Sequence, residues 1–136
     1  MRARVQVEVE YLLALADLDA TPLTIDASQR QHLRGLYEEF DEEDASVVKQ
    51  LETEGYGEYA ATNHDVKAIE YFLRLHLPED LEVANWIHFG LTSEDVNNLA
   101  HRLLVGPAVT DVLVPELRAV RDRLVDFAHD YGDLPM

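Results

Sequence analysis

The chain has no cysteine, which excludes disulfides, thiolate metal sites and a cysteine nucleophile, and fits a reducing compartment. It is also poor in positive charge: 11 Lys and Arg stand against 27 Asp and Glu, for a formal net charge of −16. Such a surface repels a polyanionic backbone, so nucleic acid is not an expected partner. Lysine is scarcest of all, with only Lys49 and Lys67, and an acid-rich, lysine-poor surface is also what adaptation to high salt produces. No apolar run reaches membrane-spanning length, and the Val-rich opening lacks the continuous apolar core of a signal peptide. The expectation is therefore a soluble, cytoplasmic protein with no membrane partner. A glycine-rich phosphate loop, a nucleophile elbow and an HExxH metal motif are missing too.

What is present suits one ordinary domain or a piece of one: 136 residues, 47% of them apolar, with helical spacing through most of the length. Val5, Val7 and Val9 alternate with polar residues like a strand, yet Val5, Val9, Leu12, Leu13 and Ala16 fall at helical spacing, so Arg4 to Asp17 reads as one helix. A turn at Thr21-Pro22 follows. Ser28 with Gln31 makes a capping box for a second helix faced by Leu33, Leu36, Tyr37 and Phe40, which the acidic stretch Glu38 to Asp44 is expected to end. Glu52 to Ala61, with Gly55 and Gly57, reads as the main irregular segment and a divider between two blocks.

Thr62 with Asp65 predicts the next helix start, with Val66, Ile69, Leu73 and Leu77 inward, Glu70 paired to Arg74, and Pro78 at the exit. Thr92 with Asp95 predicts another, with Val96, Leu99, Ala100, Leu103 and Leu104 as its apolar stripe. From Val109, the positions Leu113, Leu117, Val120, Leu124, Phe127 and Tyr131 recur at steps of three and four. This seam has few partners left in the chain and is expected to remain exposed until partner helices cover it.

Two segments gather polar groups at these predicted helix starts, Thr62-Asn63-His64-Asp65 and Thr92-Ser93-Glu94-Asp95. Free backbone N–H groups and the partial positive charge of a helix N-terminus bind carboxylates and phosphates, so an acidic chain can still hold an anion there. The same residue types are ordinary caps, and spacing leaves capping and ligand binding both open. His64 and Lys67 share one helical turn and are candidates to meet an anion; His88, two residues after Trp86, lies in an apolar stretch and is a further candidate. His64-Asp65 also matches the dyad of metal-dependent phosphohydrolases, but no other His supplies ligand spacing, so no metal is expected.

The words Ala61-Thr-Asn-His-Asp-Val-Lys-Ala-Ile-Glu-Tyr-Phe72 and Trp86-Ile-His-Phe-Gly-Leu-Thr-Ser-Glu-Asp-Val-Asn-Asn-Leu99 closely resemble the adenylosuccinate lyase family, of the fumarase and aspartase superfamily. The Val5-Gln6-Val7-Glu8-Val9 opening and the Asp133-Leu134-Pro135 ending match in order as well. The resemblance implies an all-α fold, with residues 1–91 as a partial N-terminal helical domain and 92–136 as the start of a long central bundle. It implies a homotetramer whose active sites draw on three subunits, acting on a succinylated purine nucleotide without metal or organic cofactor. By resemblance Asn63, His64 and Asp65 contact the nucleotide, Thr92 and Ser93 bind its anionic groups, and Lys67 and His88 lie near the pocket. The family's acid histidine, in a Thr-His-Gly-Gln-like segment, and its base, a serine on a mobile loop, are expected beyond residue 136. An early Arg-Tyr contact is expected upstream. The chain alone is thus expected to be inactive, and a stand-alone all-α interaction module on a lyase scaffold is the alternative.

Overall fold

The computed structural model describes residues 1–77 and 82–135; the Pro78 exit lies outside them. The fold is all-α, as the sequence implies, apart from one two-residue hairpin. Met1–His101 and Arg102–Met136 form two compact units.

In the first unit, α1 (Arg2–Ala16), α2 (Ala27–Glu38), α3 (Glu42–Thr53) and α4 (Asp65–Leu75) build the core. α1 packs on α2 and α4, and α3 packs on α4. The strand-like alternation at the start of α1 has a simple cause. Val5, Val9, Leu12 and Leu13 enter the main core, while Val7 joins a second cluster with Val66, Val96 and Ala100. A helix covered on two sides buries Val5, Val7 and Val9 together and loses the one-sided signature. Each fully buried Val or Leu contributes on the order of 2 kcal/mol. Phe72 anchors the core, meeting Phe40 edge-on at 5.6 Å between ring centroids.

Several local expectations are corrected. The cap of α2 is Asp26 with Gln29, not Ser28 with Gln31: Gln29 N donates to Asp26 Oδ1 and Asp26 N to Gln29 Oε1, both at 2.8 Å. A carboxylate outcompetes a hydroxyl for the free N–H groups of the first turn. The acidic stretch ends α2 but also opens a helix missed in the sequence, α3, capped by Asp41 with Glu42, Glu43 and Asp44 in its first turn. Acidic side chains are favoured where the helix dipole is positive. The segment expected to divide two blocks is a tight hairpin, Gly55–Tyr56 with Tyr59–Ala60, joining α3 to the α4 that it packs against.

His64, not Thr62, caps α4, and Glu70 pairs with Lys67 at 2.7 Å rather than with Arg74. Val66, Ile69 and Leu73 are buried as expected, and Leu77 is half-buried. After a 3-10 turn, Glu82–Trp86, α5 (Ser93–Pro107) begins on the expected Thr92–Asp95 pair. Of its predicted stripe only Val96 and Ala100 are buried; Leu99, Leu103 and Leu104 are exposed.

In the second unit a π-helical stretch, Ala108–Leu113, leads into α6, Val114–Tyr131. The helix expected from Val109 therefore starts with a wide turn, in which Val114 N donates to Val109 O. Pro107 and Pro115 flank it, and neither has the N–H that a regular ladder needs. The apolar seam is open: Val109, Leu113, Leu117, Val120, Leu124, Phe127 and Tyr131 are all exposed.

Candidate functional site

The two polar segments meet. Ser93 Oγ stands 3.3 Å from His64 Nε2, across 29 residues of sequence. His64 is held by its role as cap: its Nδ1 accepts from Lys67 N at 3.3 Å, which leaves the neutral ring its proton on Nε2. Thr62 shapes the preceding turn, its hydroxyl donating to His64 O at 2.9 Å and accepting from His64 N at 3.2 Å. Asp65 points to α1, where Arg4 reaches it at 2.8 Å.

Asn63 and His88 are the only non-glycine residues with positive φ among the described residues, at 50° and 60°. Both were nominated by the sequence. Left-handed backbone is uncommon outside glycine, although Asn and His adopt it more readily than most residues, and such conformations concentrate at functional positions.

Thr92 is already engaged, donating through N and Oγ1 to Asp95 Oδ2 at 2.7 and 2.8 Å. Those donations, the backbone one first, hold the Asp95 carboxyl below its ordinary value. Ser93 makes no such reciprocal bond among the described residues. Lys67 is paired to Glu70 and lies 5.5 Å from the centre of the Tyr71 ring, so its charge is shared within α4. Among the described residues no group of three or more His, Asp or Glu is arranged to hold a metal ion around the His64–Asp65 pair.

Sequence reasoning missed the contribution of α1. Arg4 Nε donates to Asn97 Oδ1 at 2.7 Å, Glu8 Oε1 meets His88 Nδ1 at 2.6 Å, and Tyr11 donates to Phe89 O at 2.9 Å. These three residues are four and three apart, so they form one polar stripe along the helix. That spacing was the available signal. Glu8 is fully enclosed, and burial pushes its carboxyl up from the ordinary value while the His88 hydrogen bond works against that rise. A cavity of about 590 Å³ beside His32, His76 and Asp44 is lined by none of the candidate residues.

No helix among the described residues is long and apolar enough to cross a membrane. A family model described as Lyase matches residues 1–136. Adenylosuccinate lyases of Dictyostelium discoideum and Haemophilus influenzae are each 38% identical to the chain over its whole length, and that of Escherichia coli K12 is 39% identical. The chain spans 29% of the length of each of these relatives. Matched by that model from its first residue to its last, the chain belongs to the lyase family.

Proposed function

We propose that this chain is the N-terminal portion of an adenylosuccinate lyase, a cytoplasmic enzyme of purine biosynthesis that works as a homotetramer. Residues 1–91 would be its N-terminal helical domain and residues 92–136 the opening of its central bundle. The whole enzyme eliminates fumarate from adenylosuccinate, giving AMP, and from the succinylated aminoimidazole carboxamide ribotide. The observation that carries this reading is the approach of Ser93 to His64, which joins two helix starts in a chain whose relatives bear that enzyme's name.

In an acidic molecule, an anionic nucleotide needs a local source of positive potential. The first turns of α4 and α5 supply it, together with the Nε2–H of His64 and the Ser93 hydroxyl. Thr92 serves a ligand by letting go of Asp95, so a bound carboxylate takes the place that the Asp95 carboxylate holds. As negative charge builds beside the leaving nitrogen, these donors stabilise it. The proton transfers belong to a histidine and a serine that the rest of the enzyme supplies. No metal or organic cofactor has a part in this scheme.

The test joins the chain to the complementary C-terminal portion of the Escherichia coli relative and follows fumarate release. The hybrid is expected to be active and the chain alone silent, with Ser93→Ala or His64→Ala lowering kcat/KM of the hybrid about tenfold or more. A folded, tetrameric hybrid in which both variants keep full rates would remove these residues from the site. The exposed seam of α6 supports the second reading, an interaction module; a well-folded but silent hybrid, with the chain capturing an apolar helical peptide, would favour it.

A further inference from the structure

One buried carboxylate has no task in the nucleotide reading. The Glu8 side chain is wholly enclosed; Oε1 meets His88 Nδ1 at 2.6 Å and Oε2 is buried without a hydrogen-bond partner among the described residues. An orphaned buried oxygen is destabilising, and such groups in folded proteins call for an explanation. Glu70, on α4, adds a like charge nearby, itself paired to Lys67. The hydrogen bond that its carboxylate makes among the described residues is the one to His88.

We propose that Glu8 is a positioning residue that holds His88 in the tautomer opposite to that of His64, so that the site offers its ligand one imidazole N–H and one imidazole lone pair. The two rings are oriented by different partners. His64 Nδ1 accepts from Lys67 N at 3.3 Å, and the Asp65 carboxylate, 3.6 Å from the same nitrogen and beyond hydrogen-bond reach, is paired with Arg4, so the His64 proton sits on Nε2, facing Ser93. His88 Nδ1 lies against a carboxylate oxygen, so the proton sits on Nδ1 and Nε2 keeps its lone pair. Nε2 of His88 makes no hydrogen bond among the described residues, and His88 O accepts from Leu91 N at 3.2 Å in the turn that runs directly into Thr92 and Ser93. Arg4 and Tyr11, one turn either side of Glu8, tie down Asn97 and the Phe89 carbonyl, so the same helix face fixes the backbone around His88.

The fitting ligand pairs an anionic group with a neighbouring N–H or O–H donor. This rests on the nucleotide reading above, since a succinylated amine carries its N–H beside carboxylates. The donor then faces His88, while the anion faces His64 and Ser93.

The test is an NMR measurement of imidazole nitrogens in the chain, labelled with ¹⁵N in its histidines, at neutral pH, with His64→Gln and His88→Gln used for assignment. The expected spectrum has His88 protonated on Nδ1 and His64 on Nε2. In Glu8→Ala the His88 proton moves toward Nε2, the form that free imidazole prefers, and His64 is unchanged. A merely structural Glu8 would lower the melting temperature and leave the tautomer where it was. A parent spectrum with His88 protonated on Nε2 overturns the proposal by itself, whether or not the variant folds. The two readings fail separately: a folded, tetrameric hybrid that keeps full rates in Ser93→Ala and His64→Ala defeats the nucleotide site, while the tautomers are read in the chain by itself.

Discussion

At the scale of single residues, backbone geometry decides more than side-chain type. Gly55 has φ +95°, and a Cβ there would meet Tyr59 O at 2.7 Å, a backbone atom that cannot step aside. Gly57, two residues on, also has positive φ, +60°, but a Cβ there meets nothing within 4 Å. Gly55→Ala should therefore cost about 2 kcal/mol or more, and Gly57→Ala about 1 kcal/mol. Urea unfolding of the two variants measures the difference, and equal losses would mean that the hairpin rearranges freely. The candidate site was legible in part at this scale. Asn63, His64, Thr92 and Ser93 stood out because cap chemistry leaves a local signature. Glu8 did not, because a buried glutamate looks like any other in a chain with 27 acidic residues, and its partner lies 80 positions away.

At the scale of the element, α1 shows how two glutamates on one helix respond oppositely to pH. Arg34, helped by Tyr37, holds Glu10 below its ordinary value of 4.5, against a smaller effect of burial. A depressed carboxyl stabilises the fold above the unfolded value, and that stability is lost as pH falls through the folded one. Both partners of this pair are substantially exposed, so the contribution is small. Glu8 is raised from 4.5, mainly by burial. Here the folded state keeps its proton longer than the unfolded chain, so stability declines as pH rises from about the ordinary value through the raised one. Glu8→Gln should remove that decline, and Glu10→Gln should remove the acid-side loss. Thermal melts from pH 3 to 8 check both, and the assignment fails if Glu8→Gln leaves the slope above pH 4.5 untouched. Helix existence was largely legible in the sequence, because periodicity records burial on one face. The first turns were less so: Asp26, Asp41 and His64 each took a cap assigned elsewhere or not at all. Neighbouring polar residues compete for the same few N–H groups, and tertiary packing selects among them.

At the scale of the whole molecule, charge and exposed apolar surface pull in opposite directions. A net charge of −16 on 136 residues opposes association, whereas the seam on α6 favours it, with Leu117 59%, Leu124 65% and Phe127 64% exposed. Within about 10 Å, the range over which charges act at 0.1 M salt, repulsion is strong in dilute buffer and weak at 1 M, while burial of apolar area gains from salt. The balance should therefore tip with ionic strength. Sedimentation of the chain is expected to show larger species as sodium chloride rises from about 0.02 M to about 1 M, following the screening length. Leu117→Glu with Leu124→Glu should abolish the larger species at every salt concentration, since it puts charges into the surface that has to be covered. The melting of Met1–His101, which holds the buried core, should not change in this double variant. Association that survives both substitutions would place the contact elsewhere on the molecule and take from α6 the role that its heptad-like spacing assigns to it.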